Sequence, residues 1–306
     1  SSCCIFAYKT NRYSKIKGEI MTEIASIQWF PGHMTKTRRM IKENLSLVDA
    51  VVEIIDARIP MSSQNPEMTK MLGNKPRMFL LNKSDMADEK ITQKWIEYFK
   101  NQNITSIPID CRNGKGTSLF LSVLKNQVLS EFIKNKIQKG MTGKQIRIMI
   151  VGIPNVGKSS FINKMARTKI TKVEDRPGVT RHKQWVKLGD GVEMLDMPGV
   201  LWPKFDDQKV AHKLAFTGAI KDDVVDIEAL SMLLLDLLKE NYQKNLIERY
   251  KIEISEDDNG KKLLEKICIK RAMLLPGGVL NTERAAITVV DEFRAGKLGK
   301  ISLERP

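Results

Sequence analysis

Apolar residues along the chain fall into short continuous runs separated by longer amphipathic stretches. "TKTRRMIKENLSLV" (35–48) spaces Met40, Ile41, Leu45 and Val48 on one helical face. "AVVEIID" (50–56), "PRMFLLNK" (76–83), "ITSIPID" (104–110) and "QIRIMIVG" (145–152) are near-continuous, as strands of a sheet covered on both faces are. "HKQWVKL" (182–188) and "VEMLDMPG" (192–199) flank "GDG", a hairpin turn signal. Between the runs, Asp88 reads as the N-cap of a helix over 89–101, a second helix is expected over about 117–135, and a third opens at about 158. "DARIPMSSQNP", after the first strand, reads as a polar loop. This alternation predicts an α/β domain with a mostly parallel, six-stranded, doubly wound sheet.

From about residue 206 the pattern becomes wholly helical. "DQKVAHKLAFTGAI", "VDIEALSMLLLDLLKENY", "KKLLEKICIKRAML" and "NTERAAITVVDEFRAG" read as four or five amphipathic helices. Asp226 and Asn281 suit N-caps, and Gly296 suits a C-terminal stop. The most apolar stretch, "ALSMLLLDLLKE" (229–240), is broken by Asp236 and is too short to span a membrane, so a buried amphipathic helix is expected. The division expected is a leader over 1–20, one domain over 21–205 and a helical one over 206–306.

Charge adds a partner. Lys plus Arg number 51 and Asp plus Glu 36, a net +15 that points to an anionic surface such as RNA. Residues 134–147 hold five basic residues and no acid, and 164–187 hold eight against Glu174 and Asp175. Each segment alone reads equally as a solvated face. The tail "GKLGKISLERP" reads as basic, either touching RNA or solvated. Cys3, Cys4, Cys111 and Cys268 have no zinc spacing, which suits a reducing cytoplasm. The leader lacks a small-residue cleavage site after an apolar core and makes a poor secretory signal.

Candidate chemistry sits after the strands. "GIPNVGKS" fits G-x-x-x-x-G-K-[ST] in full, a phosphate loop between a strand and a helix. The nucleotide-binding set there is Asn155, Val156, Gly157, Lys158, Ser159 and Ser160. Backbone N–H groups would cradle phosphates at a helix N-terminus, Lys158 would reach the β- and γ-phosphates, and Ser159 would meet Mg²⁺. "DMPG" offers Asp196 toward Mg²⁺, through a bound water, and the Gly199 N–H toward the γ-phosphate. Thr180 in "RPGVTR" stands where a switch threonine would close over the metal. "NKSD" (82–85) reads the base. Asp85 would accept both N1–H and N2–H₂ of guanine, Asn82 would reach the acceptor side, and the Lys83 stem would pack along the ring. In sheets of this kind ligands lie beyond the carboxyl ends of the strands. All four loops would therefore gather at one edge, although the base reader precedes the phosphate loop. A parallel sheet cut at one loop and rejoined at its old ends gives this order without moving a strand, so the chain reads as circularly permuted.

At this point a resemblance enters. The order N-K-x-D, phosphate loop, D-x-P-G is that of the circularly permuted GTPases. "IQWFPGHMTKTRRMI", "DARIPMSSQNPEM", "RPGVTRHKQWV" and "LWPKF" resemble the bacterial ribosome biogenesis GTPase A (YlqF) family from about Ile27 to the end. The resemblance implies GTP and GDP as ligands and a role in late assembly of the large (50S) ribosomal subunit. It also implies turnover stimulated by the precursor particle, contacts with ribosomal RNA and ribosomal proteins, and a helical RNA-binding domain. Where many GTPases carry Ser-Ala-Lys beside the guanine, this chain has "DCR" (110–112), with the Cys111 N–H left to serve the base carbonyl. Asn155 resembles the phosphate-loop Asn of GTPases that hold K⁺. Many GTPases carry a water-orienting Gln where Val200 stands here, and the resemblance points instead to His33 in "WFPGHM". Two other classes stay open at this stage: a GTP-binding RNA module with negligible turnover, and a phosphate-loop kinase, which "NKSD" disfavours.

Overall fold

The computed structural model describes residues 34–141, 145–168, 185–199 and 207–306. Six strands form one sheet: β1 (Ala50–Asp56), β2 (Arg77–Asn82), β3 (Thr105–Pro108), β4 (Ile146–Gly152), β5 (Trp185–Gly189) and β6 (Val192–Asp196). Their order is β3-β2-β1-β4-β6-β5, parallel except for the antiparallel β5–β6 hairpin. Asp56 lies opposite Asn82, and Ile54 opposite Gly152, so the carboxyl ends of the central strands stand level. The strand assignment and the mostly parallel sheet follow the apolar runs.

The pleat sorts each strand onto two faces. Val51 packs with Ile41, Met68, Met149 and Val151 beneath α1 (Met34–Asn44) and α2 (Pro66–Leu72). Ile55, Phe79 and Leu81 pack with Trp95 and Phe99 of α3 (Glu89–Asn101). Ala50, Val52 and Ile54 face the other way, toward α4 (Phe120–Val123), α5 (Ser130–Gln138) and α6 (Lys158–Thr168). Four further α-helices follow among the described residues: α7 (Gln208–Phe216), α8 (Ile227–Tyr250), α9 (Gly260–Lys270) and α10 (Thr282–Arg294). Their buried apolar side chains are continuous with those of this second sheet face. No helix among the described residues is long and apolar enough to cross a membrane.

Asp88, Asp226 and Asn281 accept the expected capping bonds from Ile91, Ala229 and Arg284, and Gly296 takes φ 72° just past α10. Four local expectations are corrected. The helix over 35–48 ends at Asn44, whose amide turns back to Met40 O at 2.6 Å. After the polar loop, where no element is expected, Asn65 caps a helix that Pro66 begins. The helix over 117–135 is broken by a π turn at Leu124–Val128. Phe120, Leu124 and Leu129 are all fully buried, and the five-residue step from 124 to 129 stays on one face only if the helix widens.

The fourth correction concerns the tail. Ile301, Ser302 and Glu304 are buried rather than solvated. Ile301 N–H donates to Met86 O (2.8 Å), Leu303 N–H to Arg58 O (2.8 Å), and Trp95 Nε1 to Glu304 O (3.3 Å). The Glu304 carboxylate accepts the Met61 and Ser62 N–H groups and the Ser62 hydroxyl, and pairs with Lys213 of α7 at 3.0 Å. Asp236, the break in the apolar stretch of α8, accepts the Gly260 N–H at the start of α9. Gly260 itself lies so close to α8 that a Cβ would stand 2.0 Å from Met232 O.

Candidate guanine-nucleotide site

The base-reading loop leaves β2 at Asn82. Lys83 turns the chain in the left-handed region at φ 61°. Ser84 then fastens the loop to the end of β3, its N–H and hydroxyl both donating to Ile109 O (3.2 and 2.9 Å). The neighbouring loop closes on Asp110, which accepts the Arg112 N–H (2.8 Å) and the Asn113 amide (2.7 Å). Asp85 is held between them with its Oδ1 buried and without a hydrogen-bond partner. A buried carboxylate oxygen left unpaired costs stability, and a ligand carrying N–H donors would relieve it. Burial, and then the charges of Asp110 and Asp85, push the Cys111 thiol up to about 12, so this thiol stays protonated and unreactive beside Asp85.

The phosphate loop leaves β4 at Gly152. Asn155 sits at φ 56° and Gly157 at φ 99°, and a Cβ on Gly157 would stand 2.2 Å from Asn82 Nδ2. Only glycine fits there, in conformation and in space. α6 begins at Lys158, so the N–H groups of its first turn face the loop, with Ser159 and Ser160 exposed. "DMPG" joins the same edge from β6. Lys158 Nζ meets Asp196 Oδ1 at 2.9 Å, and a Cβ on Gly199 would stand 3.2 Å from Pro154 Cα.

Asn82 makes two bonds that were not expected. Its Oδ1 accepts the Cys111 N–H (3.1 Å) and its Nδ2 donates to Val156 O (2.7 Å). Asn82 and the Cys111 N–H, both expected at the base, bond each other in this structure. A buried amide with two opposed partners works as a clamp between the base loop and the phosphate loop. His33, Thr180 and Val200 lie outside the described residues.

Two residues that sequence reasoning passed over lie behind Lys83. Asp56 ends β1 and Arg58 follows; each is only 1% exposed. Arg58 donates to both Asp56 oxygens (2.9 and 2.8 Å) and to Phe293 O at the end of α10 (3.3 Å). Lys83 Nζ takes Asp56 Oδ2 at 3.0 Å. Burial alone would raise the Asp56 carboxyl, but the charges of Arg58 and Lys83 hold it far below the usual range. Burial lowers the Lys83 ammonium, with Asp56 opposing the shift. The available signal was "DAR" directly after an apolar strand, a charged pair where the chain is still buried.

Among the described residues no cluster of three or more His, Cys, Asp or Glu forms a metal cage. The oxygen donors at the phosphate edge are the Asp196 carboxylate and the Ser159 hydroxyl, a hard-ligand set that suits Mg²⁺ completed by phosphate and water. GTPases generally use this ion.

An N-K-x-D loop with a buried, unpartnered Asp85 oxygen, a phosphate loop and D-x-P-G on one edge of a parallel sheet define a phosphate-loop GTPase whose motifs run in permuted order. A family model described as 50S ribosome-binding GTPase matches residues 147–266. The match starts inside β4, so the base reader at 82–85 lies outside it, as permutation requires. The chain is 45% identical to ribosome biogenesis GTPase A of Bacillus cereus over 281 residues, 92% of this chain and 94% of that protein. It is similar to the GDP-bound structure of Thermotoga maritima YlqF, at 30% identity and TM-score 0.63, over 88% of this chain and 99% of that one. It is also similar to the GNP-bound form, at 30% identity and TM-score 0.61, over 89% and 98%. The chain belongs to the ribosome biogenesis GTPase A family, and it is a GTP-hydrolysing enzyme.

Proposed function

We propose that this enzyme hydrolyses GTP as a timing switch on precursors of the large ribosomal subunit in the cytoplasm. Residues 21–205 carry the nucleotide, and the helical residues 206–306 contact ribosomal RNA and ribosomal proteins. The observation that carries the nucleotide half is the unpartnered Asp85 oxygen, buried on the edge that also presents Lys158 and Asp196. Support for the particle half comes from the printed names of the relatives, from the description of the family model and from the net charge of +15.

In this reading Asp85 accepts the two guanine donors and rejects adenine, which offers an acceptor at N1. The N–H groups of Asn155–Ser160 and the Lys158 ammonium take the phosphates, which compete with Asp196 for Lys158. Mg²⁺, held by Ser159, Thr180 and Asp196 (the last through water), supplies charge neutralisation at the phosphates. Asn155 gives its Nδ2 to Gly218 O and keeps its Oδ1 for a K⁺ ion. The Gly199 N–H serves the γ-phosphate. The Val200 side chain has no polar atom for the attacking water, and His33 fills that role.

Asp85→Asn tests the site. One donor of the guanine edge then meets an amide NH₂, and a bidentate contact of this kind is worth about 1–3 kcal/mol. Titration of GTP against ATP should show affinity for GTP lower by roughly tenfold to a hundredfold with that for ATP unchanged. Unaltered guanine preference removes Asp85 from the site.

A further inference from the structure

Helix α7 closes in a Schellman motif. Gly218 takes φ 80° and donates its N–H to Ala215 O (3.0 Å), while the Ala219 N–H reaches Leu214 O (2.9 Å). This ending leaves the Gly218 carbonyl pointing away from α7, where it accepts Asn155 Nδ2 from the phosphate loop at 2.7 Å. Asn155 is itself in the left-handed region, a conformation that Asn tolerates better than most residues, and its side chain has this one protein anchor among the described contacts.

Arg294, the last residue of α10, braces the same turn. Its Nη2 donates to Ala215 O (2.7 Å) and its Nε to Phe216 O (3.2 Å), the final carbonyls of α7. The fork also takes both oxygens of Asp222 at 2.7 Å. A guanidinium at a helix C-terminus satisfies orphan carbonyls and offsets the negative end of the helix dipole. Its planar fork fixes two carbonyls and a carboxylate at once, which an ammonium cannot do. The residue before it, Phe293, supplies the carbonyl that receives Arg58 from the base side. Consecutive residues at the end of α10 therefore reach toward the two halves of the nucleotide site.

We propose that Arg294 is a positioning residue for the nucleotide: by bracing the end of α7 it holds the Gly218 carbonyl where it orients the Asn155 side chain, so that the helical part sets the phosphate loop. The proposal rests on the reading of residues 155–160 as phosphate-binding. An Arg294 that merely stabilised the helices would change melting temperature without acting through Asn155.

A double-mutant cycle separates the two. Fluorescent GDP and a non-hydrolysable GTP analogue are titrated into the full chain carrying Arg294→Ala, Asn155→Ala, or both. Arg294→Lys keeps a cation for Asp222 but cannot span the two carbonyls, and it replaces the alanine variant should that one not fold. Each single change should weaken binding about fivefold, the loss of one ordinary hydrogen bond. The double variant should bind no more weakly than Asn155→Ala alone. A double variant weakened about 25-fold, the product of two independent effects, overturns the relay and leaves the phosphate-loop reading standing. Parental affinity in the Arg294 variants overturns it as well. Parental affinity in Asn155→Ala overturns both the relay and the role of Asn155 beneath it.

Discussion

Replacing Asn82 by an aspartate tests the clamp with one atom changed. The side chain keeps its shape and an oxygen for the Cys111 N–H. The atom facing Val156 O, now Nδ2 at 2.7 Å, becomes a second acceptor. Asn82 is 3% exposed, so water cannot fill in. One hydrogen bond is lost, at about 1 kcal/mol, and a buried carbonyl is left facing another oxygen, at about 1–3 kcal/mol. The sum, about 2–4 kcal/mol, falls on the contact that holds the base loop against the phosphate loop. Both GTP and GDP touch those loops, so both affinities should drop together, by roughly a hundredfold. Chemical denaturation should show a lower midpoint with an unchanged slope. Low pH should restore part of the loss, because protonating the introduced carboxylate regains a donor for Val156 O. A variant with parental midpoint and parental affinity for both nucleotides would refute the clamp. A loss confined to GTP would place Asn82 at the γ-phosphate instead.

His33→Ala should lower particle-stimulated turnover by about 10²–10⁴ with little change in GTP affinity, read by single-turnover hydrolysis on purified large-subunit precursors. Binding of the particle should weaken steeply with KCl, as counterion release requires, and a flat salt titration would argue for a protein-only contact. Lys134→Glu with Lys139→Glu should weaken it further without touching GTP binding; both are exposed, whereas Lys136 packs over Phe132 and pairs with Asp49, so reversing it would disturb the fold. In the helical part, burial would raise Glu292, but bonds and charges from Arg249 and Arg271 overcome this and bring it down to about 2. A carboxyl lowered in the folded state stabilises above its unfolded value and loses that contribution as pH falls toward the folded one. Between about pH 4.5 and 2 the parent should therefore lose stability that Glu292→Gln lacks throughout, and parallel acid titrations of the two would count against the network.

The strands, their order of motifs and the shared edge were legible because each rests on local pattern: apolar runs for burial, glycines for tight loops, caps for helix starts. The phosphate loop and "NKSD" were legible for the same reason, as residue types at fixed spacing. What was not legible depends on separation. Asn82 meets Val156 across 74 positions, and Leu303 meets Arg58 across far more, so nothing in either neighbourhood announces the partner. A short polar tail such as "ISLERP" looks solvated until the surface that receives it is known. Arg58 shows the same limit from the other side: charged residues are expected outside, and a fully buried Arg is found only once the bidentate Asp56 and the Phe293 carbonyl are seen around it.

These long-range contacts follow from the permutation. Cutting the chain before "NKSD" and joining the old ends moves the exit of the sheet from its customary place to the residues after "DMPG". The helices that follow must then lie near the phosphate edge, and the chain must finish somewhere on the same side. It finishes on the loops after β1 and β2, the pair that carry Arg58 and the base reader. The C-terminal part consequently touches the loops of this edge at several points, among them Gly218 to Asn155, Phe293 to Arg58, Ile301 to Met86 and Leu303 to Arg58. If the helices bind the particle as proposed, reciprocity requires that any nucleotide state which alters particle affinity through these contacts is itself favoured or disfavoured by the particle to the same degree.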